Sequence, residues 1–344
     1  MTIDYEGREA QQRFAEDDPR LPESFQNYQI ERKLGEGPTS FCYQAVKRDS
    51  RQQVRLKVLR KRVARLPQVR EQIDLMNQRC HAYNAGRTVL AYHGWGSHDD
   101  NYFFEFDFID AITLRELIDE MGPFHPDMVA LFGLQLVSAL AEVQGIKPSA
   151  GLGNFIPVHR DLKPENVLIR PDGKLVLADV EFNRLTTFAE RQGLSLPQDP
   201  LCYESPELLL RDYADRRSDI FSLGMLLFEL LCRGLPYVGR NINQTRQNIR
   251  EERRRKLTEL YPGSHSKERL ALLRRLGLLL EPLLMHEAES RPQQLVDIES
   301  SLLSFLVGAN YDDPAREISR FVREHGFSPQ RKQSGGWLRR LFGG

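Results

Sequence analysis

The stretch VHRDLKPENVLIRPDGKLVLADVEFNR, residues 158 to 184, constrains this chain more than any other part of it. Two apolar runs rich in β-branched residues, NVLI and KLVLA, flank a turn at RPDG, so the segment reads as a hairpin. Charge crowds both of its ends. Before it, HRDLKPEN carries Asp161, Lys163 and Asn166, and Pro164 among them argues for a loop and against a helix. Asp161 can accept a proton from a hydroxyl, Lys163 can neutralise a transferring phosphate, and Asn166 can hold a metal. After it comes Asp179, which the hairpin brings back beside Asn166. A carboxylate and an amide oxygen are hard ligands suited to Mg²⁺, which usually binds through one or two carboxylates plus substrate phosphates.

The text upstream is strand-like: YQIERKLGEG, SFCYQAVKR and QQVRLKVLR follow one another from Tyr28, separated by turn-type or charged residues. A helical stretch around LPQVREQIDLMNQRCHAY comes next, then further strands at RTVLAYHGWG and NYFFEFDFI. After DAITLRELIDEM the character changes. In HPDMVALFGLQLVSALAEVQ, Val129, Phe132, Leu136, Ala139 and Leu140 recur at helical intervals and mark an amphipathic core-facing helix. Helices dominate from there, at SDIFSLGMLLFELLC, KERLALLRRLGLLLEPLL and PQQLVDIESSLLSFL. A β-rich first part followed by a mainly helical second part predicts an α+β architecture of two lobes in one domain. The expected organisation is a flexible leader over residues 1–27, the domain over 28–306, and an extension over 307–344.

Composition sets bounds on the partners. Of 344 residues, 40% are hydrophobic and 28% charged, enough apolar material for a sizeable core in a soluble protein. Lysine plus arginine equal aspartate plus glutamate at 48 each, so no global positive field argues for nucleic-acid binding. The cysteines, Cys42, Cys80, Cys202 and Cys232, form no CxxC pair, which suits reduced thiols in a cytoplasmic protein. The polar, acidic N-terminus does not resemble a signal peptide, and IFSLGMLLFELLC, read as the longest apolar window, is too short to span a bilayer. The tail WLRRLF places Trp337, Leu338, Leu341 and Phe342 against Arg339 and Arg340, a pattern for a membrane surface, a partner groove or a disordered end.

Single residues stay ambiguous by themselves. Gly35 and Gly37 in LGEGPTSFCYQAV can open a turn to phosphate oxygens, or can simply make the turn tight. Lys57, flanked by Leu56 and Val58, lies on the opposite face of its strand from them, where a lysine is ordinarily solvated. Asp219 in RRSDIFSLG is either an exposed carboxylate in a helix first turn or a buried one with a partner.

Taken together and in this order, the motifs resemble the eukaryotic-like (Hanks-type) Ser/Thr protein kinase family over residues 28 to 306. The resemblance implies an ATP- and Mg²⁺-dependent enzyme that phosphorylates protein substrates. LGEGPTS is similar to the glycine-rich loop, with Ser40 at its usual third glycine, and Lys57 to the strand lysine that grips the α- and β-phosphates. Glu71 in VREQIDLMNQ fits its ion-pair partner, with Asp74 the second candidate. FEFDFIDAITL resembles the hinge, with Phe106 behind the adenine and with Asp107 and Ile109 offering backbone hydrogen bonds. Asp161 is then the catalytic base, Lys163 the phosphate-contacting lysine, and Asn166 and Asp179 the Mg²⁺ ligands. Ser205 to Glu207 stand for the APE motif, Arg291 for the arginine that pairs with its glutamate, and Asp219 for the carboxylate that ties down the catalytic loop.

Several positions depart from the family pattern. Ser40 replaces a glycine but leaves the backbone donors in place. Val180 and Glu181 stand where FG is usual; valine can fill part of the phenylalanine's packing site, and glutamate should hold the segment in fewer conformations. Pro200 occupies the position of a threonine that bears on hydroxyl preference, and GIKPSAGLGNFIP lengthens the loop before His159. Thr186, Thr187 and Ser195 are expected phosphorylation sites that would give Arg160 an anionic partner. The alternative to an active kinase is a pseudokinase, a nucleotide-binding scaffold or regulatory module with the same fold.

Overall fold

Residues 24–147, 155–197, 202–211, 213–255, 266–309, 311 and 313–326 are described by the computed structural model. Pro200, most of the leader, the middle of the loop before His159 and the tail WLRRLF lie outside these residues.

The alternating text at the start folds as the strands β1 (Ser24–Phe25), β2 (Tyr28–Glu36), β3 (Ser40–Lys47) and β4 (Gln53–Leu59), followed by β5 (Tyr92–His98) and β6 (Asn101–Asp107). They form one antiparallel sheet in the order β1-β2-β3-β4-β6-β5. Register places Lys57 opposite Cys42 on β3 and Phe104 on β6. A short helix α1 (Lys61–Ala64) and the longer α2 (Val69–Ala82) cross between β4 and β5. The buried residues of α2 are Val69, Ile73, Met76 and Cys80, an i, i+4, i+7, i+11 stripe that fixes which side of the helix meets the sheet.

The second lobe begins with β7 (Ile112–Thr113) and α3 (Leu114–Met121). Thr113 and Glu116 cap α3 reciprocally, each side chain accepting the other's backbone N–H. Helix α4 (Pro126–Gln144) starts on a proline and ends at Gly145. Its predicted stripe is buried, with Val129, Phe132, Leu136, Ala139 and Leu140 all at 0% exposure. This helix, and not IFSLGMLLFELLC, is the one among the described residues long and apolar enough to cross a bilayer, and 67% of that window is covered by the fold.

The quoted hairpin forms as read, β8 (Val167–Ile169) against β9 (Leu175–Leu177), with β7 completing a three-stranded sheet. Its turn depends on Gly173, which sits at φ +80° and donates its N–H to Arg170 O at 2.8 Å. A Cβ there would also lie 1.9 Å from Ala315 O. Glycine is thus required both by the turn and by a late helix that lies across it.

The rest is helical: α5 (Asn183–Arg191), α6 (Pro206–Arg211), α7 (Arg216–Cys232), α8 (Ile242–Arg250), α9 (Lys267–Leu280), α10 (Leu295–Phe305) and α11 (Pro314–Glu324). Helix α7 is buried along almost its whole length and packs with α4 and α10 into the largest apolar cluster. Helix α11 docks back onto this lobe: Phe321 stacks edge-on against Phe124, and Ser319 Oγ donates to Pro171 O at 2.8 Å. A second cluster joins α2, the inner face of the sheet and α5.

One buried ion pair ties the start of α6 to the segment before α10. Arg291, 2% exposed, meets Glu207 with two parallel bonds of 2.8 and 2.9 Å, and donates further to the carbonyls of Met285, His286 and Arg217. Removing one partner of such a pair strands the other charge, at a cost of about 3–5 kcal/mol. Arg291→Ala should therefore lower the thermal unfolding midpoint by several degrees; an unchanged melting curve would refute the role given to this pair.

Candidate active site

The loop that carries the charged motif is shaped by backbone bonds to one buried carboxylate. Asp219, 1% exposed in the first turn of α7, accepts the N–H groups of His159 and Arg160 at 2.8 and 3.0 Å. Arg160 adopts φ +70°, a left-handed turn that a non-glycine residue takes only when held there. The exposed-carboxylate reading of Asp219 is thereby excluded. Burial pushes its carboxyl up to about 6, against the two amides that favour the charged form.

Past the turn, three side chains converge. Lys163 Nζ donates to both carboxylate oxygens of Asp161 at 2.9 Å, and Asn166 Nδ2 donates to Asp161 Oδ2 at 2.8 Å. Burial raises the Asp161 carboxyl, opposed by Lys163 and Asn166, so it is poised as a better base than an exposed aspartate. Asn166 also sends a 2.8 Å bond to Asp161 O, so its Nδ2 is engaged and its amide oxygen is the atom left to offer a cation.

The hairpin returns as predicted. Ala178 N–H donates to Asn166 O at 2.8 Å, which puts Asp179 beside the loop. Asp179 Oδ2 lies 2.7 Å from Lys57 Nζ. Burial alone would raise the Asp179 carboxyl, but Lys57, then Arg55, outweigh it and hold it down at about 2. Lys57 is 8% exposed, so it is no solvated strand lysine; its ammonium also sits 4.2 Å above the ring of Phe182.

These groups line a cleft of about 730 Å³ between the lobes, with Gly35, Gly37, Ser40, Asp107 and Ile109 on its walls. A Cβ at Gly35 would meet nothing within 4 Å. Packing within the protein therefore does not demand glycine there. The turn is closed by Gly37 N–H to Ser40 O at 2.8 Å and braced by Arg60, which donates to Gly37 O and covers Phe41. Phe106 is buried against Tyr92 and Phe182. Asp107 spends its backbone N–H on Ala91 O, so it has no amide donor for a base.

Residues 28–302 fit the sequence profile described as "Protein kinase domain". The chain belongs to the protein kinase family. Serine/threonine-protein kinase PknL of Mycobacterium tuberculosis is 33% identical over 212 residues, 62% of this chain and 51% of that protein. Serine/threonine-protein kinase PrkC of Bacillus subtilis is 29% identical over 222 residues, 62% of this chain and 31% of that one. The match thus spans about half of the first of these relatives and about a third of the second. A solved PknI kinase domain of M. tuberculosis superposes with a TM-score of 0.61 at 20% identity, covering 82% of this chain and 96% of that one, which supports the bilobal kinase fold.

Against the kinase pattern, one expected contact is not formed. Glu71 and Asp74 both point to solvent from α2, and Asp74 instead faces Arg70 at 3.9 Å. Neither carboxylate can pair with Lys57, because the face of α2 turned inward is the stripe Val69, Ile73, Met76 and Cys80. Lys57 takes Asp179 as its partner.

Three contributors escaped the sequence reading. Arg55 stands where the family's V-A-I-K strand has alanine, and it lines the cleft with its Nε 2.8 Å from Cys42 Sγ. The signal was present in VRLK. Glu181 is fully buried, at 0% exposure, with its carboxylate beside Arg79 of α2 and Arg184. Its part is thus that of an internal ion partner, beyond the backbone stiffening expected of it. Val180 joins the large helical-lobe cluster, while Phe182, three residues past the metal-ligand candidate, packs on Phe104 and Phe106.

The expected phosphorylation sites are divided: Thr186 and Thr187 lie inside α5, where Thr187 Oγ1 donates to Asn183 O at 3.2 Å, and Ser195 follows it, its carbonyl accepting from Arg62.

His159 supplies a test of this loop by pH. Its Nδ1 accepts the N–H of Asp161 at 3.2 Å, which puts the ring proton on Nε2, and the residue is wholly buried. Burial drops its pKa from 6.5 to about 4. The unfolded chain gains this proton near pH 6.5 and the folded one only near 4, so the contribution to stability is whole above 6.5 and lost as pH falls to 4. The slope is at most about 1.4 kcal/mol per pH unit. His159→Phe should flatten the decline in denaturant stability between these pH values; an identical decline in both proteins would count against a neutral, buried His159.

Proposed function

We propose that the chain is an ATP-dependent protein kinase that transfers the γ-phosphate to serine or threonine hydroxyls of protein substrates. The observation that carries this reading is the meeting of Asp161, Lys163, Asn166, Asp179 and Lys57 in one cleft, each with its charged or polar atoms already directed there. The similarity to the serine/threonine-protein kinases PknL and PrkC supports the hydroxyl class.

In this reading a substrate hydroxyl donates to an Asp161 oxygen. As the hydroxyl oxygen forms its bond to the γ-phosphorus, the bond from that phosphorus to the bridging oxygen breaks, ADP leaves, and the hydroxyl proton passes to Asp161. Lys163, held by Asp161, is placed to neutralise the phosphoryl group in flight. Lys57 serves the phosphates, and the walls at Gly35, Gly37 and Ser40 cover them. No group of three or more His, Cys, Asp or Glu residues that could hold a metal occurs among the described residues. Asn166 and Asp179 are the residues that would hold Mg²⁺, a cation that takes few protein oxygens and completes its shell with phosphate. When bound, Mg²⁺ supplies positive charge to the phosphate oxygens. The four cysteines are free and buried, which suits the proposed cytoplasmic setting.

Purified protein given Mg²⁺, labelled ATP and a generic protein substrate should transfer label to serine or threonine. Asp161→Asn should cut that rate by about 10² to 10⁴-fold, the usual share of a positioned base, while nucleotide affinity stays within a few-fold. Asp179→Asn should instead weaken Mg²⁺-dependent nucleotide binding. Wild-type protein that binds Mg-ATP and transfers nothing would move the assignment to a nucleotide-binding scaffold.

A further inference from the structure

Helix α2 has no carboxylate on its buried face, yet it is not without an ionic contact to the catalytic centre. Arg79, one residue before the last buried position of the stripe, points its guanidinium at Glu181, with Nη1 3.5 Å from Oε2. Glu181 is the most enclosed carboxylate in the cleft region, its side chain 0% exposed. Tyr83 OH, just past the end of α2, lies 3.5 Å from the other carboxylate oxygen. Arg184 of α5 closes the group from the activation segment.

The backbone makes this arrangement harder to regard as incidental. Glu181 sits at φ +68°, where glycine is at home and an L side chain costs about 1–2 kcal/mol. A buried carboxylate adds its own desolvation cost unless it is paired. Both penalties are borne at a position whose N–H donates to His159 O at 3.1 Å and which lies two residues after Asp179. Through His159 the connection reaches Asp219 and the loop that carries Asp161.

We propose that Glu181 and Arg79 form the tether between α2 and the catalytic loop, with the carboxylate on the activation segment and the cation on the helix. This reverses the placement that the family resemblance implied for Lys57 and Glu71. Glu181 is then a positioning residue: it touches no reacting atom, and it acts by fixing α2 and the backbone that carries Asp179. The inference rests on the phosphotransfer reading for its kinetic consequence, though not for its structural one.

Amide hydrogen exchange over residues 69–82 and steady-state kinetics test it together, on Glu181→Gly, Arg79→Met, their combination and Arg79→Lys. Glycine suits the left-handed backbone at 181, so Glu181→Gly removes the carboxylate without imposing strain. Each single change should raise exchange in α2 about tenfold or more and lower kcat by about 10 to 100-fold, with KM for ATP within about threefold. The double variant should be no worse than Glu181→Gly, because the two residues share one contact. Arg79→Lys, which keeps the charge, should recover most of both readouts. Unchanged exchange in both single variants, or losses that multiply in the double, would overturn the tether. Should the wild type transfer no phosphate, the exchange data alone still decide it, and the kinase reading fails separately.

Discussion

Everything at the active site hangs from the carboxylate of Asp219. A buried anion is costly, and it is tolerated here because two backbone amides point at it from one turn. Hydrogen bonds to a charged group contribute about 1.5–3 kcal/mol each, enough to hold Arg160 in its left-handed conformation. That conformation reverses the chain between His159 and Asp161, and the reversal is what turns the Asp161 carboxylate into the cleft. Helix α7, buried along its length, is the rigid platform for this anchor, so the loop takes its position from the core of the larger lobe.

The remaining charges of the cleft follow the same logic. Lys57 meets Asp179, Lys163 meets Asp161, and Arg115 gathers Glu165, Glu229 and the hydroxyl of Tyr203 within 2.6 to 2.8 Å. Pairs of this kind give little net stability against apolar substitutes of equal shape, and they are destabilising once half-broken. What they supply is placement. Each fixes a side chain that would otherwise sample many rotamers, and phosphoryl transfer depends mostly on such placement.

Much of this was legible in the sequence because the informative residues lie close together along it. HRDLKPEN and Asp179 are joined by a single hairpin, so their convergence follows from local pairing, and the alternation of β2 to β4 followed from period-two patterning. Contacts between distant residues were harder to read. Residue type in VREQIDLMNQ points to Glu71 or Asp74 as the helix partner of Lys57, whereas the apolar stripe Val69, Ile73, Met76, Cys80 places both outside the buried face. Arg79 and Glu181 are 102 residues apart, and neither carries a periodic signal that would announce the other. Arg55 was legible as a departure from V-A-I-K, but its bond to Cys42 depended on the register of β3 against β4.

The DVE sequence is better understood as a redistribution than as a loss. The apolar ring expected directly after Asp179 is present two residues later, as Phe182, wedged against Phe104 and Phe106 and under the ammonium of Lys57. The glycine's place is filled by a carboxylate that holds a left-handed backbone conformation and adds a charged contact to α2. Phe182, Leu185, Ala189 and Leu196 then share one apolar cluster with Val69, Ile73, Met76 and Cys80. The activation segment and α2 are consequently joined twice, by packing and by charge. Separating one from the other would open an apolar interface and break a buried ion pair in the same step.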